Sequence, residues 1–282
     1  MALLAMPLFC VSSYAREIGK DDETADDTLQ TLPCVKTVDS ADPSASVTTF
    51  GGLVLDHDLQ MILQDIILKL GKEDYDTGFV MVDIKTGKGL AYNPSKKFYS
   101  ASSVKGIYVA ALTYYDPEAL LYDRDTIESV IVYSDNYGYE YLWETYGYDC
   151  IEKWAKTAKA DKVKWNSEEY HMYAKYSAKD LAKLWLLNYV YFEDKKTDQD
   201  LLKLYELRTT SRLDAVLGEK YRIRSKAGWM PEGWEEQCYV EGGIVYAGKS
   251  PYVVAFMSDI PQERMELADS IFLLLDVIHR TV

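Results

Sequence analysis

Strand patterning falls into two groups set far apart in this chain. GFVMVDI (78–84) is followed by the turn-forming KTGKG and then by LAYNP, which reads as a β-hairpin. The second group comes near the end: YRIRSKAGW (221–229), CYVEGGIVYAG (238–248) and SPYVVAFMSD (250–259). The tight turn at Gly248-Lys249 makes the last two a hairpin as well. Between the groups, from 118 to about 218, the chain is helical in pattern and rich in tyrosine. The chain ends must therefore come together. Two N-terminal and three C-terminal strands make one antiparallel five-stranded sheet, and the helical block is inserted into it as a second lobe.

Helices complete this α+β plan. DHDLQMILQDIILKL (56–70) is capped by Asp56 or Asp58 and followed by Gly71. Further helices are predicted over 125–133, 138–145, 150–158, 178–190 and 198–206 in the inserted lobe. A last helix starts at Pro261 and runs to about His279, with Met265, Ala268, Phe272, Leu275 and Ile278 on one face. The N- and C-terminal helices flank the sheet, and a cleft between the lobes is the natural place for a site.

With 48% hydrophobic residues, the chain has enough apolar surface for one large domain, expected over 51–282. A net charge of −14 and the absence of basic clusters argue against nucleic acid as a partner. The first 15 residues, MALLAMPLFCVSSYA, are apolar, uncharged and end in small residues, as a signal peptide does, although they lack a positive n-region. They are too short to span a bilayer. The residues before Cys10, Pro7-Leu8-Phe9, lack the small residue of a lipidation site. Residues 16–50 are polar and acidic and read as a disordered linker. These features predict an exported protein without a stable membrane span, acting as a monomer. Cys34, Cys150 and Cys238 have no metal-ligand spacing, and a Cys150–Cys238 disulfide and free thiols are both open.

Three short motifs carry chemistry. Ser102 is the one serine with a lysine three residues later, Lys105, and the pair opens an amphipathic helix whose apolar positions are Val104, Ile107, Tyr108, Ala111, Leu112 and Tyr115. Residues i and i+3 share a helix face. A lysine there can take the serine proton if burial lowers its pKa, and the helix N-terminus can stabilise an oxyanion. The plain alternative is a capped helix with Ser102 or Ser103 as N-cap. Ser134-Asp135-Asn136 breaks a helix with turn-forming residues; its serine can relay a proton and its asparagine can hold a substrate amide, or the three form an ordinary Asx turn. Lys226-Ala227-Gly228-Trp229 ends a strand, with a cation beside a glycine that admits a substrate backbone, or is simply an exposed strand end.

In this order the three motifs resemble the active-site set of the penicillin-recognising serine enzymes, the class A β-lactamases and the penicillin-binding D,D-peptidases. The resemblance spans roughly 51–280. It implies Ser102 as nucleophile, Lys105 as base and Ser134 as proton relay, with Asn136, Lys226, Ala227, Gly228 and Trp229 binding substrate. The backbone N–H groups of Ser102 and Trp229 would form the oxyanion hole. No metal or organic cofactor is implied. The substrate would be a β-lactam or a peptidoglycan-peptide-like small molecule. An earlier Lys85-Thr86-Gly87 imitates the third motif on the wrong side of Ser102 and is read as a turn.

The chain departs from the pattern twice. Ala227 replaces a hydroxyl residue that helps bind the substrate carboxylate, a loss that Lys226 and Arg224 would offset in part. The Glu-x-x-Leu-Asn loop that activates deacylating water is missing; Glu168 and Glu169 are the nearest candidates, with solvated loop acids the plainer reading. The leading expectation is a class A-like serine hydrolase that acylates and deacylates on Ser102. The alternatives are a D,D-peptidase or penicillin-binding protein with slow deacylation, and a non-catalytic cell-wall binder. Tyr133, Tyr137, Tyr139, Tyr141, Trp143, Tyr146 and Tyr148 are expected mainly in the core, with a cleft for glycan or peptide as the alternative.

Overall fold

A computed structural model describes residues 25–160, 162–207 and 210–282. The predicted leader at 1–15, Cys10 and the linker up to residue 24 lie outside the described residues. In chain order the elements are α1 (Ala25–Thr31), α2 (Pro33–Asp39), β1 (Thr48–Phe50), α3 (His57–Lys72), β2 (Thr77–Asp83), β3 (Gly89–Tyr92), β4 (Lys97–Tyr99) and α4 (Ser103–Tyr115). The second lobe holds α5 (Ala119–Tyr122), α6 (Arg124–Val132), α7 (Asn136–Tyr146), α8 (Asp149–Thr157), β5 (Lys175–Ser177), α9 (Ala178–Glu193), α10 (Gln199–Leu204) and α11 (Arg212–Leu217). The chain returns through β6 (Arg222–Met230), β7 (Cys238–Tyr246), β8 (Tyr252–Ser258) and α12 (Asp269–His279).

The chain ends do meet. β2 pairs antiparallel with β8, from Thr77 opposite Ser258 to Asp83 opposite Tyr252. The sheet order is β1-β3-β2-β8-β7-β6, so it has six strands where five were predicted. The extra strand, β1, is three residues long and pairs with β3 at one edge, too short for a period-2 pattern to reveal. β4 and β5 form a separate two-stranded ribbon.

Asp56 caps α3 by accepting from the N–H groups of Asp58 and Leu59. Leu63 and Leu70 of α3 and Ile271, Phe272, Leu275 and Ile278 of α12 bury one face of the sheet. The opposite face packs on α4 and α9, whose Val104, Ile107, Leu181 and Trp185 belong to the larger core. α12 starts later than the sequence suggests, because Gln262–Ala268 is a 3₁₀ helix. The Lys85-Thr86-Gly87 turn is a turn: Thr86 donates to Asp83 Oδ1 from both its backbone N–H and its hydroxyl, and Gly87 sits at φ 72°.

The linker reading needs correction over residues 25–50. Leu29, Cys34, Val35 and Val38 are buried in the main core, and α1 and α2 pack on α9. Thin apolar spacing in a polar stretch concealed two seven-residue helices. All three described cysteines are free and buried, which corrects the disulfide alternative. No helix among the described residues is long and apolar enough to cross a membrane.

Candidate active site

Ser102 occupies the N-cap position of α4 but makes no capping bond there. The preceding Ala101 is held at φ 42°, a left-handed conformation that costs a non-glycine residue about 1–3 kcal/mol. Capping therefore does not explain Ser102, whereas Ser103 is structural. Its buried hydroxyl donates to Ser100 O at 2.7 Å and lies 2.6 Å from the Tyr176 hydroxyl.

Lys105 is fully buried on α4. Its Nζ donates to Ser134 O at 2.7 Å and to Asn136 Oδ1 at 2.6 Å. Desolvation pulls its pKa down to about 7, against a smaller opposing pull from Asp135. A neutral lysine amine has two N–H groups and one lone pair. Here two acceptors take both N–H groups, so the lone pair remains for a proton donor such as the hydroxyl of Ser102, one turn back.

Ser134 is the hinge of this arrangement. Its φ of 58° is left-handed. That conformation lets the carbonyl face Lys105 while the hydroxyl accepts from Lys226 Nζ. Asp135 caps α7 by accepting from the N–H groups of Tyr137 and Gly138, which fixes Asn136 at the first helical position. Lys226 is also buried, and desolvation together with the charge of Lys105 lowers its pKa to about 7. Two lysines meet at one serine, one through its carbonyl and the other through its hydroxyl.

Two glycines allow strand and helix to approach this closely. A Cβ on Gly228 would sit 2.4 Å from Ser102 N and 2.5 Å from Ser103 N; a Cβ on Gly106 would sit 2.6 Å from Lys226 Cβ. β6 thus lies directly on the start of α4, one peptide from the N–H of Trp229. Ala227 is buried in the opposite core cluster with Leu213 and Ile223, so Lys226 and Gly228 are the residues facing α4. Arg224 does not assist Lys226, because its Nε donates to Glu206 at 2.8 Å and its Nη1 to the Tyr246 hydroxyl at 2.9 Å.

Ser102, Lys105, Ser134, Asn136, Lys226, Gly228 and Trp229 therefore converge at one place. No side-chain hydrogen bond or ion pair among the described residues ties Glu168 or Glu169 to the cluster. Both are exposed on the loop before β5, and Glu169 bonds Tyr170. The side chain from this loop that reaches the cluster is Tyr173, whose hydroxyl donates to Asn136 Oδ1 at 3.2 Å. Sequence reasoning missed it, because a tyrosine in a tyrosine-rich segment carries no periodic or motif signal. It also missed a bridge between two connections: Glu236, in the β6–β7 connection, pairs with Lys175 at 2.6 Å and accepts from the Tyr170 hydroxyl at 3.0 Å. Tyr139 and Trp143 are core residues as expected, and Tyr148 stacks on Trp143; Tyr133, Tyr137 and Tyr141 are exposed.

The fold is an antiparallel sheet with an inserted helical lobe, and this cluster lies where α4, the α6–α7 turn and β6 meet. The chain belongs to the β-lactamase enzyme family, which it matches over residues 110–274. Solved structures with the same fold include a β-lactamase from Sphaerobacter thermophilus DSM 20745 (14% identity, TM-score 0.61, covering 80% of this chain and 96% of that one). A class A β-lactamase from Mycobacterium abscessus aligns at 15% identity and TM-score 0.60 over 78% of this chain and 99% of that one. PBP-A aligns at 16% and 0.60 over 79% and 96%. At these identities the likeness is one of fold. No curated protein sequence matches the chain.

Proposed function

We propose that the protein is a serine acyl-transfer enzyme that forms an acyl-enzyme on Ser102 with β-lactams or related acyl-amides. The observation that carries this reading is Lys105: buried, with a pKa lowered to about 7 and both amine N–H groups engaged by Ser134 O and Asn136 Oδ1. Ser102 Oγ attacks the carbonyl carbon as its proton passes to Lys105, a general-base step worth about 10²–10⁴-fold. The oxyanion takes the N–H groups of Ser102 and Trp229. Collapse breaks the C–N bond, Ser134 hands its hydroxyl proton to the leaving nitrogen and regains the proton that Lys105 took from Ser102, so the net transfer is from Ser102 to the nitrogen and an ester on Ser102 remains. Lys226 binds a substrate carboxylate and Asn136 the acyl amide.

Slow deacylation, as in a D,D-peptidase or penicillin-binding protein, is favoured over fast hydrolysis. Both candidate water-activating acids, Glu168 and Glu169, are exposed, and a tyrosine reaches Asn136 from their loop. The apolar stretch at 1–15 supports an exported, cell-envelope setting.

The test is time-resolved intact mass with benzylpenicillin, following free drug in parallel. A long-lived adduct that disappears in Ser102→Ala is expected. A short-lived adduct with drug consumed would assign a β-lactamase instead. Label that survives Ser102→Ala, or no adduct and no drug loss, would reject the mechanism.

A further inference from the structure

An asparagine can bind a substrate carbonyl only if its amide nitrogen faces the cleft. The Oδ1 of Asn136 accepts from Lys105 Nζ at 2.6 Å and from the Tyr173 hydroxyl at 3.2 Å. With the oxygen turned inward to two donors, the Nδ2 donors are left for the open side, and Asn136 is exposed. Lys105 alone does not set this direction. A neutral amine can donate to Oδ1 or accept from Nδ2, and acceptance would consume the lone pair that Ser102 needs. A phenol hydroxyl is a better donor than acceptor, so this second partner on Oδ1 makes the flipped amide, in which Nδ2 would have to donate to the phenol oxygen, the worse arrangement.

Tyr173 is well placed for that task. Its ring packs against Tyr139 at 5.6 Å and Tyr99 at 5.9 Å. Tyr139 lies on α7, as Asn136 does, and its hydroxyl donates to Met172 O at 3.0 Å, tying the backbone beside Tyr173 to that helix. Desolvation raises the Tyr173 pKa to about 12, so its proton stays in place through the neutral range.

We infer that Tyr173 is a positioning residue whose hydroxyl fixes Asn136 with Nδ2 toward the cleft, and so selects acyl donors that carry an acylamino group beside the scissile amide. The inference rests on the acylation chemistry proposed above. It assigns to Tyr173 a role in substrate choice that the three motifs do not contain.

The experiment compares the wild-type chain with Tyr173→Phe, which keeps the ring and removes only the hydroxyl. Two probes are used: benzylpenicillin, which has the acylamino group, and 6-aminopenicillanic acid, which has a free amine in its place. The rate of adduct formation on Ser102 is read by intact mass. Acylation by benzylpenicillin falls about tenfold, as for one lost hydrogen bond, whereas acylation by 6-aminopenicillanic acid stays within about twofold. The ratio of the two rates is insensitive to any loss of folded protein, since both probes report on the same sample. Equal losses with both probes would reduce Tyr173 to packing and overturn the inference, as would no loss with either. If the wild-type chain forms no adduct with either probe, the acylation reading fails first and this inference falls with it.

Discussion

For Lys105, the proposed general base, function and stability pull in opposite directions. Folding lowers its pKa from 10.5 to about 7. Between those values the folded chain binds fewer protons than the unfolded chain, so this group makes stability rise with pH across that window; below about pH 7 its destabilising effect is felt in full. Lys105→Met fills a similar volume without the charge. We expect it to abolish acylation yet raise unfolding free energy, on the order of a few kcal/mol at pH 6 and much less at pH 10. Urea denaturation at the two pH values checks this. An equal effect at both would mean that the buried amine carries no titrating cost. Lys226 is lowered for the same reason, and part of its shift comes from Lys105 itself, so the two titrate as a pair.

At the scale of elements, the β5-preceding loop and the β6–β7 connection are joined through Glu236 to Lys175 and Tyr170. The pair is partly exposed, which limits its worth to about 1 kcal/mol. Glu236→Ala should speed amide hydrogen exchange about fivefold in both 166–175 and 231–237. Faster exchange in only one segment would show that the bridge does not couple them. Such long-range contacts are where the sequence is least legible. Ser102 and Lys105 stand out because i and i+3 share a helix face, and Ser134-Asp135-Asn136 because turn formers interrupt a helix. Glu236 and Tyr173 lie in irregular segments, where no period marks which way a side chain points. Helices α3, α4 and α9 were readable from their apolar period and caps, whereas β1, β4 and β5, three residues each, were not.

For the molecule as a whole, residues 25–50 belong to the folded unit. A chain begun at residue 51 would lose Leu29, Cys34, Val35 and Val38 from the core, along with edge strand β1. Each buried aliphatic side chain contributes roughly 1.5–3 kcal/mol, so the shortened chain should be destabilised by several kcal/mol. Its thermal midpoint, compared with that of the chain begun at residue 25, checks this; equal midpoints would return α1 and α2 to the status of a tether. The pairing of β2 with β8 has a consequence in time as well as in space. Residue 77 finds its partner at residue 258, so a chain made from its N-terminus cannot close the sheet until the last strand has left the ribosome. Non-local pairing of this kind also folds slowly. The order of synthesis thus leaves β2 without this partner while about 170 intervening residues are made.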